Sequence, residues 1–355
     1  MILINGNFLC RNLTGIERFA FETCRCLDEL LSENKEEKPD FSILVPENAK
    51  TLPAYKNIDI IKTFPLKSFP RWDMFYFSKA CRKLNAKGLN FSNTAPYGKN
   101  CGYAFIHDIY AKDFPEDFSS KKDKLIKLYS CFHYKNIARH AEKIFTVSEF
   151  SKNQIIKAYG TDASKITVIP NGWEHFKKVE PDDGIFKKFP SLLEKDFYFT
   201  LGSLQKRKNL KWINEYALKH PKEHFAVSGK AIGGMHSSEI GALENLKNVI
   251  LLGYVTDGEV KSLMKKCKAF VFPSYYEGFG IPPLEALSEG AKIIVSKSAS
   301  LPEIYGNTAA YIDSENTDVS LEKLSKNEPA PQDVKSVLEK YTYRNAAKLL
   351  LKEFI

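Results

Sequence analysis

Short runs of apolar residues recur along the whole chain and alternate with longer amphipathic segments. Within each run the apolar character is continuous, which is typical of parallel strands that are buried on both faces of a sheet. The runs that predict strands are residues 2–4, 41–45, 58–61, 89–92, 103–106, 144–147, 166–169, 197–201, 224–227, 249–252, 269–272, 292–295 and 309–312. Because helical segments separate them, the pattern predicts an α/β protein with two doubly wound parallel sheets.

A break in this pattern divides the chain near residue 172. A Pro-Asn-Gly turn at 170–172 precedes a polar segment, a composition typical of a linker. The predicted domains are residues 1–172 and 173–330. A last helical stretch follows the Pro-Ala-Pro at 329–331, and we expect residues 331–355 to form a helix that returns to the first domain.

Composition and length fit a globular protein. The chain has 355 residues, of which 43% are hydrophobic, so two domains can each bury a core. Its longest apolar runs have the length of strands and fall far short of the roughly 20 residues of a membrane span. No secretory signal pattern opens the chain, so we expect a cytoplasmic protein.

The net charge of +9 is concentrated in the first half, where residues 1–170 hold 26 basic and 19 acidic residues. This favours an anionic partner for the first domain. Residues 64–84 interleave basic and aromatic side chains, which predicts a helix with an aromatic core face or, alternatively, peripheral contact with an anionic membrane. Nucleic acid is excluded as the expected partner because no nucleic-acid-binding motif is present.

Polar residues and glycines follow several of the predicted strands. Ligands of open parallel sheets bind outside the carboxyl ends of strands, so these positions are candidates for a site. His107 follows the strand at 103–106. Gly202 follows the strand at 197–201, and Arg207 and Lys208 come shortly after Gly202. Arginine and lysine there could bind phosphates, and the histidine could exchange a hydrogen bond with a sugar hydroxyl.

The richest segment is 277–285, Glu-Gly-Phe-Gly-Ile-Pro-Pro-Leu-Glu, which follows the strand at 269–272. Its two prolines suit the first turn of a helix starting near residue 282, and Gly290 suits the end of that helix. Its glycines let the backbone approach a ligand closely, and the helix start favours anions. Glu277 on the loop and Glu285 in the first turn would flank a diphosphate or a polyhydroxyl ligand.

Each of these residues also has a structural interpretation. Glu285 could be stabilised by the helix dipole, and Glu277 could be a solvated loop residue. The basic pair could be an exposed helix start, and His107 a buried structural histidine. Gly15 opens an amphipathic helix without the glycine spacing of a dinucleotide fold. The joint pattern of two carboxylates around a glycine-proline turn favours a binding site.

Together these segments resemble glycosyltransferase family 4, whose members are retaining enzymes of the GT-B fold with two Rossmann-like domains facing each other across a cleft. The resemblance covers nearly the whole chain. It is most specific in the glutamate pair of 277–285, and extends over the segments Thr-Gly-Ile-Glu-Arg at 14–18, Ile-His-Asp at 106–108, Phe-Thr-Val-Ser at 145–148, Pro-Asn-Gly at 170–172, Arg-Lys-Asn-Leu at 207–210 and Leu-Pro-Glu at 301–303.

The resemblance implies that residues 1–172 form the acceptor-side domain and residues 173–330 the nucleotide-sugar-binding domain, and it implies roles for individual residues. Glu277 would contact the donor sugar and Glu285 the ribose of the nucleotide, with His107 near the reactive face of the sugar. The remaining donor-binding positions that it implies are Arg207, Lys208 and Gly15 for the diphosphate, and Gly202, Gly278, Phe279, Gly280 and Ile281 for the sugar and nucleotide. Ser203 stands where the family often has an arginine, so the diphosphate would depend more on Arg207 and Lys208.

The resemblance also implies a hexosyltransferase that uses a nucleotide-diphosphate sugar and acts with retention. No cofactor or metal is expected, because no Asp-x-Asp occurs in the chain and basic residues can stabilise the departing diphosphate. We favour GDP-mannose as donor and a saccharide or lipid-linked saccharide at the inner face of the membrane as acceptor, in surface polysaccharide biosynthesis. The alternatives are a nucleotide-sugar epimerase or hydrolase of the same fold, and a non-catalytic scaffold.

Overall fold

The computed structural model describes residues 1–13, 15–33, 39–201, 205–229 and 243–355, and these divide into two compact units. Unit 1 consists of Met1–Gly172 and Tyr341–Ile355, and unit 2 consists of Trp173–Lys340. The strands of unit 1 are β1 Ile2–Asn5, β2 Phe41–Pro46, β3 Asp59–Thr63, β4 Lys87–Asn90, β5 Tyr103–Phe105, β6 Lys143–Thr146 and β7 Ile166–Val168. Those of unit 2 are β8 Phe197–Leu201, β9 His224–Ser228, β10 Val249–Gly253, β11 Ala269–Phe272, β12 Ile293–Ser296 and β13 Ala309–Ile312.

Each unit is built on one parallel sheet. Among the described residues, the sheet of unit 1 has the order β3-β2-β1-β4-β5-β6-β7, and that of unit 2 has the order β10-β9-β8-β11-β12-β13. Every pairing in both sheets is parallel. The order reverses beside the first strand of each unit, so the carboxyl ends of β1 and β8 lie at the switch points where ligands bind in such sheets. The predicted fold class is confirmed.

The helices of unit 1 cover both faces of its sheet. They are Gly15–Glu33, Phe69–Arg71, Ser78–Lys83, Tyr110–Asp113, Lys121–His140, Glu149–Tyr159 and Tyr343–Lys352, with a π-helical turn at Trp72–Phe77. Ser120 and Asp123 form a capping box at the start of Lys121–His140, and Gly160, with φ of +63°, ends Glu149–Tyr159. The largest core cluster joins β1 and β2 to the helices Gly15–Glu33 and Tyr343–Lys352.

The end of the chain differs from the single returning helix predicted for residues 331–355. It forms two helices, Pro331–Lys340 in unit 2 and Tyr343–Lys352 in unit 1. Thr342 separates them because its backbone is extended and its side chain accepts a hydrogen bond from the amide of Asn345, which starts a new helix. Only the second helix has an apolar face buried in the core of unit 1, whereas the first buries no residue.

Unit 2 carries the helices Gly184–Lys188, Ser191–Glu194, Leu210–Lys219, Asp257–Lys266, Ile281–Ser288, Leu301–Tyr305, Leu321–Leu324 and Pro331–Lys340. One core cluster of unit 2 packs the helix Leu210–Lys219 against β8, β9 and β11, with Trp212 and Tyr216 stacked at 5.1 Å. A capping box of Thr256 and Glu259 starts the helix Asp257–Lys266. Among the described residues, no helix is long and apolar enough to cross a membrane.

Candidate active site

The loops after β8 and β11 are held together at the carboxyl ends of these two neighbouring strands. The Oγ of Ser274 donates to the carbonyl oxygen of Arg207 at 2.7 Å, and the amide of Tyr275 donates to the same oxygen at 3.0 Å. Asn209 adds a third link, because its Nδ2 donates to the carbonyl oxygen of Pro273 at 3.1 Å. These three hydrogen bonds therefore join the loop that carries Arg207 and Lys208 to the loop that carries Glu277.

Lys208 and Glu277 form an ion pair at this position, with 2.7 Å between Nζ and Oε1. Both side chains are largely buried, at 13% and 8% exposure. Ser274 donates to the same carboxylate oxygen at 2.7 Å, and the Lys208 ammonium lies 4.8 Å from the centre of the Phe272 ring. The interpretation of Glu277 as a solvated loop residue is therefore wrong.

The electrostatics keep Glu277 ionised. Burial by itself raises the pKa of this carboxyl group. The charges of Lys208 and Arg207, together with hydrogen bonds from Lys208 and Ser274, outweigh burial and hold the pKa below its usual value. The pair consequently presents a fixed ammonium and a fixed carboxylate at neutral pH.

The glycine-proline turn requires glycine at position 280. Gly280 has φ of +86°, and a Cβ there would lie 2.6 Å from Cδ2 of Leu301. The helix that follows is Ile281–Ser288, with prolines at its first positions as predicted. It starts one residue earlier than predicted, so Glu285 lies beyond the first turn rather than within it.

Two buried side chains that the sequence did not single out orient the peptide groups of this turn. Ser300 Oγ donates to the carbonyl oxygen of Glu277 at 2.9 Å, and Tyr305 Oη donates to that of Gly280. In a trans peptide the N–H points opposite to the C=O, so the amides of Gly278 and Ile281 are directed away from Ser300 and Tyr305. Pattern reasoning missed both residues because they lie more than 20 positions away in sequence.

The second glutamate of the motif has its own partner. Nε2 of His175 lies 3.0 Å from Oε1 of Glu285, and the two side chains are 3% and 12% exposed. His175 comes from the segment that opens unit 2, in the 3₁₀ helix Glu174–Lys178. Sequence reasoning treated that segment only as a linker, since nothing local connects residues 110 positions apart.

Three further predicted positions belong to unit 2, and these are Arg207, Phe279 and Gly202. Arg207 lies beside Lys208 in the 3₁₀ turn Lys206–Lys208, where its Nε donates to Gln205 at 2.9 Å. Phe279 is buried at 3% exposure within the turn. Gly202 lies outside the described residues.

Gly15 and His107 belong to unit 1. Gly15 is the exposed first residue of the helix Gly15–Glu33, with φ of +40°. The His107 ring is buried between Phe19 and Phe105, and its Nε2 lies 2.7 Å from the carbonyl oxygen of Phe91. A neutral ring that donates from Nε2 has its lone pair on Nδ1, so this histidine can accept, but not donate, a second hydrogen bond.

We expect His107 to be neutral at pH 7, because burial lowers the pKa of its ring from the ordinary value of about 6.5. A lowered pKa means that the unfolded chain binds this proton more tightly. The contribution of His107 to stability is thus complete above the ordinary histidine pKa of about 6.5 and is lost as the pH falls below it. Long-range ¹⁵N–¹H NMR spectra, assigned with His107→Gln, should show the Nε2–H tautomer at pH 7. An imidazolium signal at that pH would contradict the expected burial effect.

The arrangement in unit 2 is suited to stabilising an anionic group whose negative charge increases during a reaction. Lys208 and Arg207 supply fixed cations, and the start of the helix Ile281–Ser288 adds its positive dipole end. Pro282 and Pro283 have no N–H, and the N–H of Leu284 closes the first helical turn, so a direct backbone donor at this helix start comes from Ile281 or from the turn before it. Glu277, held at the same place, can accept hydrogen bonds from hydroxyl groups.

Family models match both parts of the chain. Residues 182–341 match the model "Glycosyl transferases group 1", and residues 103–175 match "Glycosyltransferase Family 4". The first match contains the Lys208–Glu277 pair and the turn at Gly280, and the two matches together cover well over half of the chain. The chain belongs to the group 1 glycosyltransferases.

This group 1 glycosyltransferase has similar curated relatives in enteric bacteria. It is 32% identical over 217 residues to the O-antigen chain mannosyltransferase RfbU of Salmonella typhimurium, a match that covers 58% of this chain and 55% of that protein. It is 27% identical to the O-antigen chain mannosyltransferase B of Escherichia coli, covering 54% of this chain and 56% of that protein. The chain thus spans about half the length of the curated relatives that it matches.

Solved structures of the same fold align over the full chain. A sucrose-phosphate synthase from Thermosynechococcus elongatus has a TM-score of 0.70 at 14% identity, covering 99% of this chain and 98% of that one. At this level of identity the likeness shows the fold alone. It identifies the two Rossmann-like units of this group 1 glycosyltransferase as those of a GT-B protein.

Proposed function

We propose that the protein transfers a sugar from a nucleotide-diphosphate sugar, with GDP-mannose as the favoured donor, to a saccharide or lipid-linked saccharide acceptor in surface polysaccharide biosynthesis. The names of the curated relatives support mannose and a polysaccharide of the cell surface. The family of both matched regions supports glycosyl transfer as the reaction class. The observation that carries the proposal is the buried Lys208–Glu277 pair beside the turn at Gly280.

In the proposed reaction, the bond between the anomeric carbon and the diphosphate oxygen breaks and leaves negative charge on the diphosphate. Lys208 and Arg207 stabilise that charge as it develops, which lowers the barrier because these cations are already fixed in place. Glu277 holds the sugar by accepting hydrogen bonds from the sugar's hydroxyl groups. The acceptor oxygen then bonds to the anomeric carbon on the face from which the diphosphate departs and gives its proton to a departing phosphate oxygen, which gives retention.

We also propose that no metal takes part. The cations of Lys208 and Arg207 would then do what a divalent ion does in enzymes that bind the diphosphate through paired aspartates. Turnover should accordingly be unchanged by EDTA. A loss of activity in EDTA that Mg²⁺ or Mn²⁺ restores would contradict this part of the proposal.

We further propose that the enzyme works at the inner face of an anionic membrane. In the segment 64–84, Trp72 and Phe77 are buried in unit 1, but Phe75 and Tyr76 are 67% and 44% exposed. The same segment carries exposed basic residues, which are Lys67, Arg71, Lys79, Arg82 and Lys83. The combination supports peripheral contact with anionic lipid. Sedimentation with anionic vesicles at low salt tests this contact, and an absence of binding there would exclude it.

The test of the proposed function is the release of nucleoside diphosphate from UDP-, GDP-, ADP- and dTDP-sugars, with products analysed with and without saccharide acceptors. We expect one class of donor to be used, and the product to be a new glycoside with the anomeric configuration of the donor. A rearranged sugar formed without acceptor would indicate an epimerase. Neither release nor thermal stabilisation by any donor would favour a non-catalytic scaffold.

The His175–Glu285 contact gives a prediction for donor binding. We expect His175→Ala to raise KM for the donor about tenfold with a smaller change in kcat, because Glu285 loses the partner that orients it. His175→Gln can still donate a hydrogen bond and should recover most of the loss. Initial rates at varied donor concentration measure both parameters. Equal kinetics of the alanine variant and the wild type would show that Glu285 needs no positioning.

A further inference from the structure

The 3₁₀ helix Glu174–Lys178, which carries His175, has a second attachment besides the contact between His175 and Glu285. Nζ of Lys261 donates a hydrogen bond to the carbonyl oxygen of Phe176, the next residue, at 2.9 Å. Lys261 belongs to the helix Asp257–Lys266, so this bond joins residues that are 85 positions apart in the chain. The 3₁₀ helix is thus held at two successive residues by two different partners.

Lys261 also forms an ion pair with Glu289. The distance between Nζ and Oε1 is 3.3 Å, and the two side chains are 9% and 8% exposed. Glu289 directly follows the helix Ile281–Ser288, which carries Glu285. The buried ammonium of Lys261 therefore bridges the 3₁₀ helix and the end of the helix that carries Glu285.

These contacts close a ring around the two elements. Glu285 and Glu289 are four positions apart, a spacing that places side chains on the same face of a helix. Glu285 contacts His175, and Glu289 contacts the lysine that holds the carbonyl group of Phe176. A shift of the 3₁₀ helix that takes His175 away from Glu285 must therefore also break the bond between Lys261 and Phe176.

The burial of Lys261 is not needed to neutralise Glu289. Lys265 lies 3.5 Å from Oε2 of the same carboxylate, and its side chain is 49% exposed. A lysine is almost never fully buried unless it is paired, because the loss of hydration offsets much of the attraction to its partner. What the buried lysine adds to the exposed one is the bond to the carbonyl oxygen of Phe176.

We propose that Lys261 and Glu289 are positioning residues for donor binding, which hold the 3₁₀ helix so that His175 orients the carboxylate of Glu285 toward the ribose of the nucleotide. The inference rests on the proposed function and on the role in ribose binding that the family resemblance implies for Glu285. It deepens that function, because it makes recognition of the ribose depend on a buried network and not on Glu285 alone.

The experiment is calorimetric titration of the full chain with GDP and 2′,3′-dideoxy-GDP, and with the same pairs of UDP and ADP. In the wild type, loss of the ribose hydroxyls should raise Kd about tenfold, the scale for hydrogen bonds to a charged group. Lys261→Met should raise Kd of the ribonucleotide about fivefold and leave that of the dideoxynucleotide nearly unchanged, since only the oriented carboxylate is lost. A general loosening of the site would weaken both nucleotides.

Lys265→Met is the matched control. It makes the same substitution in the same helix, at the exposed partner of Glu289. Its ratio of the two Kd values should equal that of the wild type. Lys261→Arg keeps the charge and can donate both to the carbonyl oxygen of Phe176 and to Glu289, so it should recover most of the affinity for the ribonucleotide.

A double variant separates positioning from stability. Lys261→Met combined with Glu289→Leu removes both buried charges, so it should melt at or above the temperature of Lys261→Met alone. Its preference for the ribonucleotide should nevertheless stay as low as that of Lys261→Met. Stability that returns without recognition of the ribose would show that the network acts on Glu285. Thermal melting of each variant precedes its titration.

Coupling to His175 tests the route of the effect. If Lys261 acts through His175, then adding Lys261→Met to His175→Ala should raise Kd of the ribonucleotide no further. Full additivity of the two substitutions would contradict that route.

A ribose preference in Lys261→Met that equals the wild-type preference, or an equal rise in Kd for both nucleotides, would overturn the proposal and leave the donor site standing. Equal binding of both nucleotides by the wild type would also overturn it, because Glu285 would then not bind the ribose. Failure of the proposed function has a different result, which is that the wild type binds none of the nucleotides, and the inference then fails with it.

Discussion

Lys208→Met should lower turnover by about 10²-fold or more, the scale for the loss of one fixed electrostatic contact to a developing charge. It should also lower the free energy of unfolding by about 3 kcal/mol, because it leaves the Glu277 carboxylate buried without its nearest cation. Single-turnover rates with saturating donor and urea unfolding of the same preparation measure the two effects.

Lys211→Met is the matched control for this variant. Lys211 lies three residues after Lys208 and pairs with Glu215 at 3.6 Å, but its side chain is 70% exposed. An exposed pair of this kind contributes at most about 0.5 kcal/mol. Wild-type turnover in Lys208→Met would contradict the assignment of the diphosphate site, whatever happens to stability.

The pH dependence of Lys208→Met provides an independent check. In the wild type the pKa of Glu277 is lowered, so the pair's contribution to stability is present above the ordinary carboxyl pKa and is lost only as the pH falls through the lower folded value. Without Lys208, burial should raise the pKa of the Glu277 carboxyl group, and protonation of that group should remove the cost of burying its charge. The stability difference between variant and wild type should therefore narrow between pH 7 and pH 5.

Gly280→Ala should reduce turnover by about 10²-fold and destabilise the protein by about 2 kcal/mol. The added Cβ would require a left-handed backbone at φ of +86° and would lie 2.6 Å from Cδ2 of Leu301. Relief of that contact moves the turn whose carbonyl groups Tyr305 and Ser300 hold, and with it the amides of Gly278 and Ile281. Initial rates with saturating donor and thermal melting measure the two consequences.

Gly290→Ala separates backbone strain from displacement of the turn. Gly290 also has a positive φ, of +80°, but a Cβ there would meet nothing within 4 Å. This variant should cost about 1 kcal/mol of stability and leave turnover near the wild-type value. If the two alanine variants lose activity equally, the geometry of the turn at Gly280 has no special part in donor binding.

The sequence alone was sufficient for the fold class and for the local structure of the motif. Apolar runs predicted every one of the described strands, because most of these strands are buried on both faces and cannot alternate with polar residues, whereas the edge strand β3 is largely exposed. The helix after the glycine-proline turn was predicted within one residue, since proline and glycine act through their own backbone limits. The resemblance to glycosyltransferase family 4 depended on these same local patterns.

Interactions between distant residues needed the tertiary structure. The 64–84 segment was predicted as a helix with an aromatic core face, yet Phe75 and Tyr76 are exposed while Asp73 is buried. No composition rule buries a carboxylate, and Asp73 is tolerated only because Asn5, Asn7 and Thr94 donate to it from elsewhere in unit 1.

The amino-acid sequence by itself therefore determined the two parallel sheets, the glutamate loop and the helix that follows it, since each depends on residues that are near in the chain. Tertiary structure alone decided that Lys208 neutralises Glu277, that His175 contacts Glu285 and that Lys261 binds the segment that carries His175. The physical reason is that a charge pair or a buried hydrogen bond depends on where separate strands and helices end in space. The spacing of residues along the chain does not encode that position directly.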